Sequence, residues 1–300
     1  MARSRGTQPV QQAQHPGANP SCGQCHGLGG VVVPEGEVAV VKPCACLTPC
    51  PYCKGTGFVA TSDRFRAPRQ RCVCQAAVAR WGAFGKVGIP ARHASSTRAN
   101  FEAASRQQTV VLGAVSKYLA GFEPGGPNRG LILYGDVGRG KTHLLTALLR
   151  ELVLMKGVRA RFVEFSHLLA DLKAGFDAGQ GSASRIDPLV EVDVLGIDEL
   201  GKGRATEFEG TVIDEIVSRR YNAMRPIIAT TNFAPGEGAG AAVANAAERA
   251  LGTSKAPTLR DRVGDRVYSR LRETCAFVPV LGDDYRERRS RRAGRGLGSV

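Results

Sequence analysis

Leu131–Thr142 reads LILYGDVGRGKT, and HLLTALLRELVLMKG follows at once from His143 to Gly157. LILY has the continuous apolar character of a buried strand, and the stretch after the loop is helical. Between them Gly135, Asp136, Val137, Gly138, Arg139, Gly140, Lys141 and Thr142 spell G-x-x-x-x-G-K-[ST], in the strand-to-helix setting that motif requires. The glycines let backbone N–H groups wrap a polyphosphate at a helix N-terminus. Lys141 is the residue to place charge on the β- and γ-phosphates, and Thr142 offers its hydroxyl to Mg2+. Arg139 stands where small residues are commoner, which raises the question of whether it points outward.

Outward from this loop, strand-like and helix-like stretches alternate from Val110 to about Leu281, which implies an α/β domain with a mostly parallel sheet. In Leu189–Gly201 (LVEVDVLGIDELG), Val192, Val194, Leu195 and Ile197 make a strand. Asp198 and Glu199 stand at its C-terminal end, where α/β folds place ligands. Asp198 fits the second position on the magnesium and Glu199 the base that polarises an attacking water. Ile227–Asn232 is a further strand, ending in an amide suited to a γ-phosphate or the lytic water. A helix is expected over Glu207–Met224, with Phe208, Val212, Ile216 and Tyr221 toward the sheet. Asp261–Glu273 (DRVGDRVYSRLRE) reads as a basic helix whose arginines at 266, 270 and 272 cannot all face one site. In a ring or spiral of subunits, one such arginine can reach the neighbour's nucleotide, an effect worth about 10³–10⁵ in rate.

Upstream lies a different texture. Eight of nine cysteines fall between Cys22 and Cys74, and they form a repeat: Cys22, Cys25, Cys44 and Cys46 recur 28 residues on as Cys50, Cys53, Cys72 and Cys74. Gly27 and Gly29 recur as Gly55 and Gly57. Each unit is C-x-x-C-x-G-x-G, a Val-containing hairpin, then C-x-C. Two such turns brought together by a hairpin complete a tetrahedral four-cysteine site, so two zinc ions per chain are expected. A structural zinc supplies about 10–16 kcal/mol of apparent binding that a 28-residue unit cannot find in a core. Disulfides and a redox C-x-x-C are the competing readings. Sequential sharing of the ions follows from duplication of the unit, and interleaved sharing is also open. His26 is unnecessary beside a full set of four cysteines, and Cys275, within CAFVPVL, reads as a core side chain.

Lys+Arg 41 against Asp+Glu 27 gives a formal charge of +14. Residues 1–90 hold 10 basic and 3 acidic side chains, while 91–282 hold 25 and 21, so the excess belongs mainly to the Cys-rich block and the tail. No apolar run approaches the roughly 18 residues of a membrane helix, and no apolar segment follows the N-terminal arginines as a secretory signal requires. A cytoplasmic chain with no membrane partner is expected. Its organisation reads as a disordered leader (1–20), the duplicated four-cysteine zinc module (21–75), a linker with G-I-P-A-R at Gly88–Arg92 (76–109), the phosphate-loop domain (110–285) and a basic disordered tail (286–300). Ala234–Ala250 reads as a surface insertion.

Taken in order, these motifs resemble AAA+ ATPases of the DnaC/IstB type, the replicative helicase loaders and transposase helper ATPases. The resemblance runs from about Cys50 to Arg286 and includes C-x-x-C-x-G-T-G-F, R-C-V-C, G-I-P-A-R, N-F (Asn100-Phe101), GDVGRGKTHL, VDVLGIDEL, A-T-T-N, S-R-L (Ser269–Leu271) and G-D-D-Y-R (Gly282–Arg286). It implies ATP as the nucleotide, an arginine-finger role for Arg270, a sensor role for Asn232, ATP-dependent self-association and contact with single-stranded DNA. A helical insertion would lie in Phe165–Phe176, with Lys173 the leading DNA contact. The doubled Cys unit departs from the usual pattern, and Arg286 is only a candidate lid arginine. The leading function is a helicase loader that docks on a replicative helicase through its zinc module. A transposase helper is the alternative. A chaperone-like adaptor, suggested by the similarity of C-x-x-C-x-G-x-G to DnaJ-type zinc modules, leaves the phosphate loop without a task. Arg64, Arg66, Arg69 and Arg71 share one hairpin, so DNA contact there stays open.

Overall fold

The repeat folds as two small antiparallel hairpins in matching register. Gly30–Glu35 (β1) pairs with Val38–Pro43 (β2), and Phe58–Ala60 (β3) pairs with Arg69–Arg71 (β4). The structure, a computed structural model, describes residues 13–62, 67–177, 183–236 and 257–285. They form two compact units: the described residues up to Ser95 with Leu149–Ala160, and Ser96–Leu148 with Arg161 onward.

In the first unit, helix α1 (Cys74–Gly85) begins on the last cysteine of the repeat. Its Trp81 ring stacks on His15, centroids 5.8 Å apart. His15 donates its backbone N–H to Gly27 at 3.1 Å, and both the N–H and Oγ1 of Thr48 donate to the Gly17 carbonyl at 2.8 Å. The leader expected over 1–20 is therefore corrected from residue 13 on: Ala13 and His15 are buried against the first four-cysteine unit. Residues 1–12 lie outside the described residues. The linker expected over 76–109 is corrected too. Phe84, Val87 and Ile89 are buried, Ala39 N–H donates to Ile89 at 2.8 Å, and Ala91 N–H donates to Glu37 at 2.8 Å. The G-I-P-A-R segment is thus hydrogen-bonded to the first hairpin. An Nη1 of Arg80 caps the carbonyls of Leu154 and Met155 at 3.3 and 3.1 Å, which explains why Leu149–Ala160 belong to this unit.

The second unit begins at Ser96, earlier than the expected residue 110. Helix α2 (Arg106–Gly121) is capped by Ser105, whose side chain accepts from Gln108 N–H. Then come β5 (Gly130–Tyr134), helix α3 (Lys141–Lys156), β6 (Ala160–Glu164), helices α4 (Phe165–Asp177) and α5 (Ala183–Glu191), and β7 (Val194–Asp198). Helix α6 (Glu207–Asn222), β8 (Ile227–Thr231), α7 (Leu259–Val263), α8 (Asp265–Thr274) and β9 (Cys275–Pro279) complete it. The strand order is β6-β7-β8-β5-β9. The β5–β8, β5–β9 and β7–β8 pairs are parallel. Strands β5, β7 and β8 are buried along their whole length, as central strands covered on both faces must be. Val192 lies just outside β7, and the expected strand starts two residues later.

Helix α6 carries acidic Glu207 and Glu209 in its first turn and Arg219 and Arg220 in its last, in agreement with its dipole. Arg220 has 0% exposure and donates to the carbonyls of Leu189, Val190, Val192, Asp193 and Pro226, tying the end of α5 to the starts of β7 and β8. The basic helix expected over Asp261–Glu273 is two helices, because Gly264 at φ 82° ends α7 and starts α8. Cys275 is buried in the core, as expected. The insertion expected at Ala234–Ala250 falls mostly, from residue 237, outside the described residues. So do Arg64, Arg66, Arg286 and the tail.

Candidate nucleotide site and cysteine centres

The phosphate loop sits at the C-terminal end of β5 beside β8, where the strand order reverses, the location at which open α/β sheets bind ligands. Gly138 adopts φ 78°, and a Cβ there would come within 2.1 Å of the Asp284 carboxyl, so only glycine fits. Tyr285 N–H donates to the Gly138 carbonyl at 3.0 Å. Phe101 lies against Gly140 and is tilted onto His143 at 5.7 Å. His143 Nε2 is 2.8 Å from the Thr97 carbonyl. Asn100-Phe101 and Gly282–Tyr285, read in the sequence only as motifs, therefore flank the loop.

Lys141 is 7% exposed, and its Nζ donates to the carbonyls of Gly135 and Asp136, both at 2.7 Å. Burial pushes its ammonium down to about 8 against the pull of Asp198 and Asp136. Arg139 pairs with Asp136 on the loop's own surface. Val137 is exposed. Thr142 Oγ1 donates to both Asp198 oxygens at 3.0 Å. Burial raises the Asp198 carboxyl, while hydroxyl donors from Thr230 and Thr142 work in the opposite direction. A hydroxyl and a buried carboxylate meeting in this way are the hard oxygen donors a magnesium ion takes.

Thr230 is the residue sequence reading missed. Its Oγ1 donates to Asp198 Oδ1 at 2.5 Å and accepts from Glu199 N–H at 2.9 Å, so it fixes both acidic residues. The only signal was its place in A-T-T-N, one strand away. Glu199 takes φ 56°, a left-handed conformation uncommon for a non-glycine residue, and its carboxylate pairs with Lys202. Asn232 follows β8 directly and is half-buried. Arg270 is not gathered with these groups. On α8 it donates to Asp214 Oδ1 at 2.9 Å and Ser218 Oγ at 2.5 Å, with Tyr221 beneath it at 5.7 Å. Arg266 reaches the same Asp214 at 3.6 Å, and Arg272 lies over Phe277 instead. Lys173 is exposed on α4.

In the first unit, the sulfurs of Cys22, Cys25, Cys44 and Cys46 converge, as do those of Cys50, Cys53, Cys72 and Cys74, each set within 4.8 Å. The sequential grouping, not the interleaved one, is what the chain assembles. Sulfur separations of 3.7 Å (Cys22–Cys44), 3.5 Å (Cys25–Cys46), 3.7 Å (Cys50–Cys72) and 3.6 Å (Cys53–Cys74) fit the edge of about 3.8 Å that a tetrahedron with 2.3 Å Zn–S bonds demands. Backbone N–H groups of Cys25 and Gln24 pull the Cys22 thiol down to about 6. Against the burial that raises it, those of Gly57 and Gly55 bring Cys53 to about 7. In each group another thiol is pushed the other way: Cys46, against the Asn19 N–H, and Cys74 rise to about 12 through burial and the neighbouring sulfurs, whereas zinc takes the thiolate form.

Among the described residues no helix is long and apolar enough to cross a membrane. Residues 114–293 match the family model described as IstB-like ATP binding protein. The chain is 29% identical over 150 residues to the replicative helicase loader DnaC of Escherichia coli K12, covering 50% of this chain and 60% of that protein. It is 33% identical over 123 residues to a putative ATP-binding protein in an insertion sequence of Mycobacterium tuberculosis, covering 41% and 48%. The crystal structure of the DnaC helicase loader superposes with a TM-score of 0.52 at 25% identity, over 63% of this chain and 99% of that one. The aligned stretch thus spans less than two thirds of the length of these curated relatives. With the five-stranded sheet and its phosphate loop, these matches establish that the chain belongs to the IstB-like ATP-binding protein family, the DnaC/IstB type of AAA+ ATPase.

Proposed function

We propose that this protein is an ATP-hydrolysing helicase loader of DNA replication. The hydrolytic part of the reading is carried by the run Thr142–Asp198–Thr230–Glu199, which joins the phosphate loop to two neighbouring strand ends through hydrogen bonds of 2.5–3.0 Å, and the helicase-loader part is supported by the similarity to DnaC. ATP would lie along Gly135–Thr142, its phosphates meeting the N–H groups of the loop and drawing Lys141 from the loop carbonyls. Thr142 and Asp198 would hold magnesium, which spreads charge off the β- and γ-phosphate oxygens. Glu199 would orient and deprotonate the attacking water, Asn232 would contact the γ-phosphate, and Arg270 would serve the neighbouring subunit's nucleotide. Arg270, held by Asp214 and Ser218 on its own chain, would act in trans from that seat. Single-stranded DNA would be held by the ATP-ordered assembly, with Lys173 a contact, while the cysteine-rich module, bearing two zinc ions, docks on the helicase.

The match to an insertion-sequence protein favours one other reading, a helper ATPase for a transposase. Capture of partners by the full chain, with Lys141→Ala as the ATP-blind control, separates the two. Recovery of a replicative helicase supports loading, and recovery of a transposase overturns it. Mixing Arg270→Ala with Glu199→Gln chains tests the trans geometry. Turnover is expected to return in the mixture, and none at any ratio contradicts it.

A further inference from the structure

We propose that the second four-cysteine unit carries a binding face for single-stranded nucleic acid on the outer side of the β3–β4 hairpin. The two repeats supply an internal control, because their registers coincide under the 28-residue shift. Gly30 sits opposite Pro43 and Val32 opposite Val41 in the first hairpin; Phe58 sits opposite Arg71 and Ala60 opposite Arg69 in the second. Directly opposed residues share a face, so these four positions define one face in each unit. In the first unit that face is apolar and largely covered: Gly30 is buried, Val32 and Val41 are half-buried, and Pro43 is exposed at its edge. A Cβ at Gly30 would come within 2.5 Å of Val41 Cγ1 and 2.9 Å of the Trp81 ring. In the second unit the same face is bare. Phe58 is 48% exposed, and Ala60, Arg69 and Arg71 are exposed as well, while Val59 on the other side packs on the four cysteines. Where the first unit has a glycine that admits the chain's own tryptophan, the second has an exposed phenylalanine beside two arginines of the partner strand.

The chemistry of the face selects its occupant. Neither Arg69 nor Arg71 has an ion-pair partner among the described residues, whereas Lys42 of the first hairpin is paired with Glu35 at 2.5 Å. Two residues along a strand are separated by about 6.8 Å, the scale on which phosphates recur along an extended single strand. An aromatic ring among such cations is a stacking platform inside an electrostatic track, indifferent to base identity. Lys54 and Tyr52, the latter 66% exposed, extend the same character into the adjoining turn. Duplex DNA would offer phosphates but no free base for Phe58.

Binding of labelled oligo(dT) to the full zinc-loaded chain tests this without nucleotide, so that failure of the ATPase reading would not imitate failure here. Arg69→Gln/Arg71→Gln should weaken binding about tenfold or more and flatten the slope of log K against log salt by about 1.4, two phosphate contacts at about 0.7 each. Phe58→Ala should cost about tenfold and Phe58→Tyr almost nothing. Lys42→Ala on the first hairpin should bind as the parent does. Photocrosslinking of the unaltered chain, which needs no variant to fold, should mark a peptide within residues 47–74. Unchanged affinity and slope in the arginine pair, or crosslinks confined to other segments, would overturn the proposal. Retained DNA binding with lost capture of an acidic protein would assign the face to a protein instead.

Discussion

The two four-cysteine units share a sulfur geometry and almost nothing else. Their paired thiols lie 3.5–3.7 Å apart in both. Yet residues 19–46 hold one basic and two acidic side chains, and residues 47–74 hold five and one. The first hairpin has strands of six residues and is folded in by Trp81, His15 and the Ile89 segment; the second has strands of three and stands exposed. Cysteine and glycine spacing builds the four-sulfur cluster, and the hairpin residues between decide whether a unit serves the fold or faces outward. Duplication allows this division, since one copy can keep the packing role while the other loses it.

The comparison breaks most sharply at the metal. Cys50→Ser/Cys53→Ser should lower zinc content from two to one per chain and remove most of the roughly 10–16 kcal/mol that organises the second unit, with the first unit intact. Metal analysis and amide exchange read both; loss of both ions, or of neither, would contradict independent units. Packing gives the next effect. Trp81→Ala should destabilise the first unit by about 3 kcal/mol in denaturant melts, and Phe58→Ala, at the surface, by less than about 0.5 kcal/mol. Similar losses would mean that the hairpins are equally packed.

The ninth cysteine sharpens the contrast through its pH dependence. Burial pushes the Cys275 thiol up to about 11. The fold therefore keeps a proton there that the unfolded chain loses near pH 9, and stability should fall by about 2–3 kcal/mol as pH rises from about 9 to 11. In thiol labelling, chelation should expose eight cysteines and leave Cys275 protected; early labelling of Cys275 would show that the core around it opens.

The phosphate loop, the acidic strand end and the cysteine repeat were legible because each is a local pattern whose chemistry fixes its spacing. What sequence reading missed is held by distant partners. Thr230 acts on Asp198 from the next strand, and Asp284 and Phe101 come to the loop from opposite ends of the compact unit that begins at Ser96. Residues 13–18 and Gly88–Arg92 read as leader and linker because a few buried side chains, Ala13, His15 and Ile89, make no period. Their order comes from Gly27, Trp81 and Ala39, which no window around them includes. Family resemblance assigns Arg270 an arginine-finger role, but its seat on Asp214 and Ser218 was not legible in the sequence.

ATP turnover by the full chain and by Glu199→Gln tests the central claim most directly. The substitution keeps the size of the side chain and removes its basicity, so turnover should fall by about a hundredfold or more, while nucleotide binding and two zinc ions per chain are retained. Turnover equal to that of the parent would contradict the assignment of Glu199 and, with it, the hydrolytic site at the ends of β5, β7 and β8.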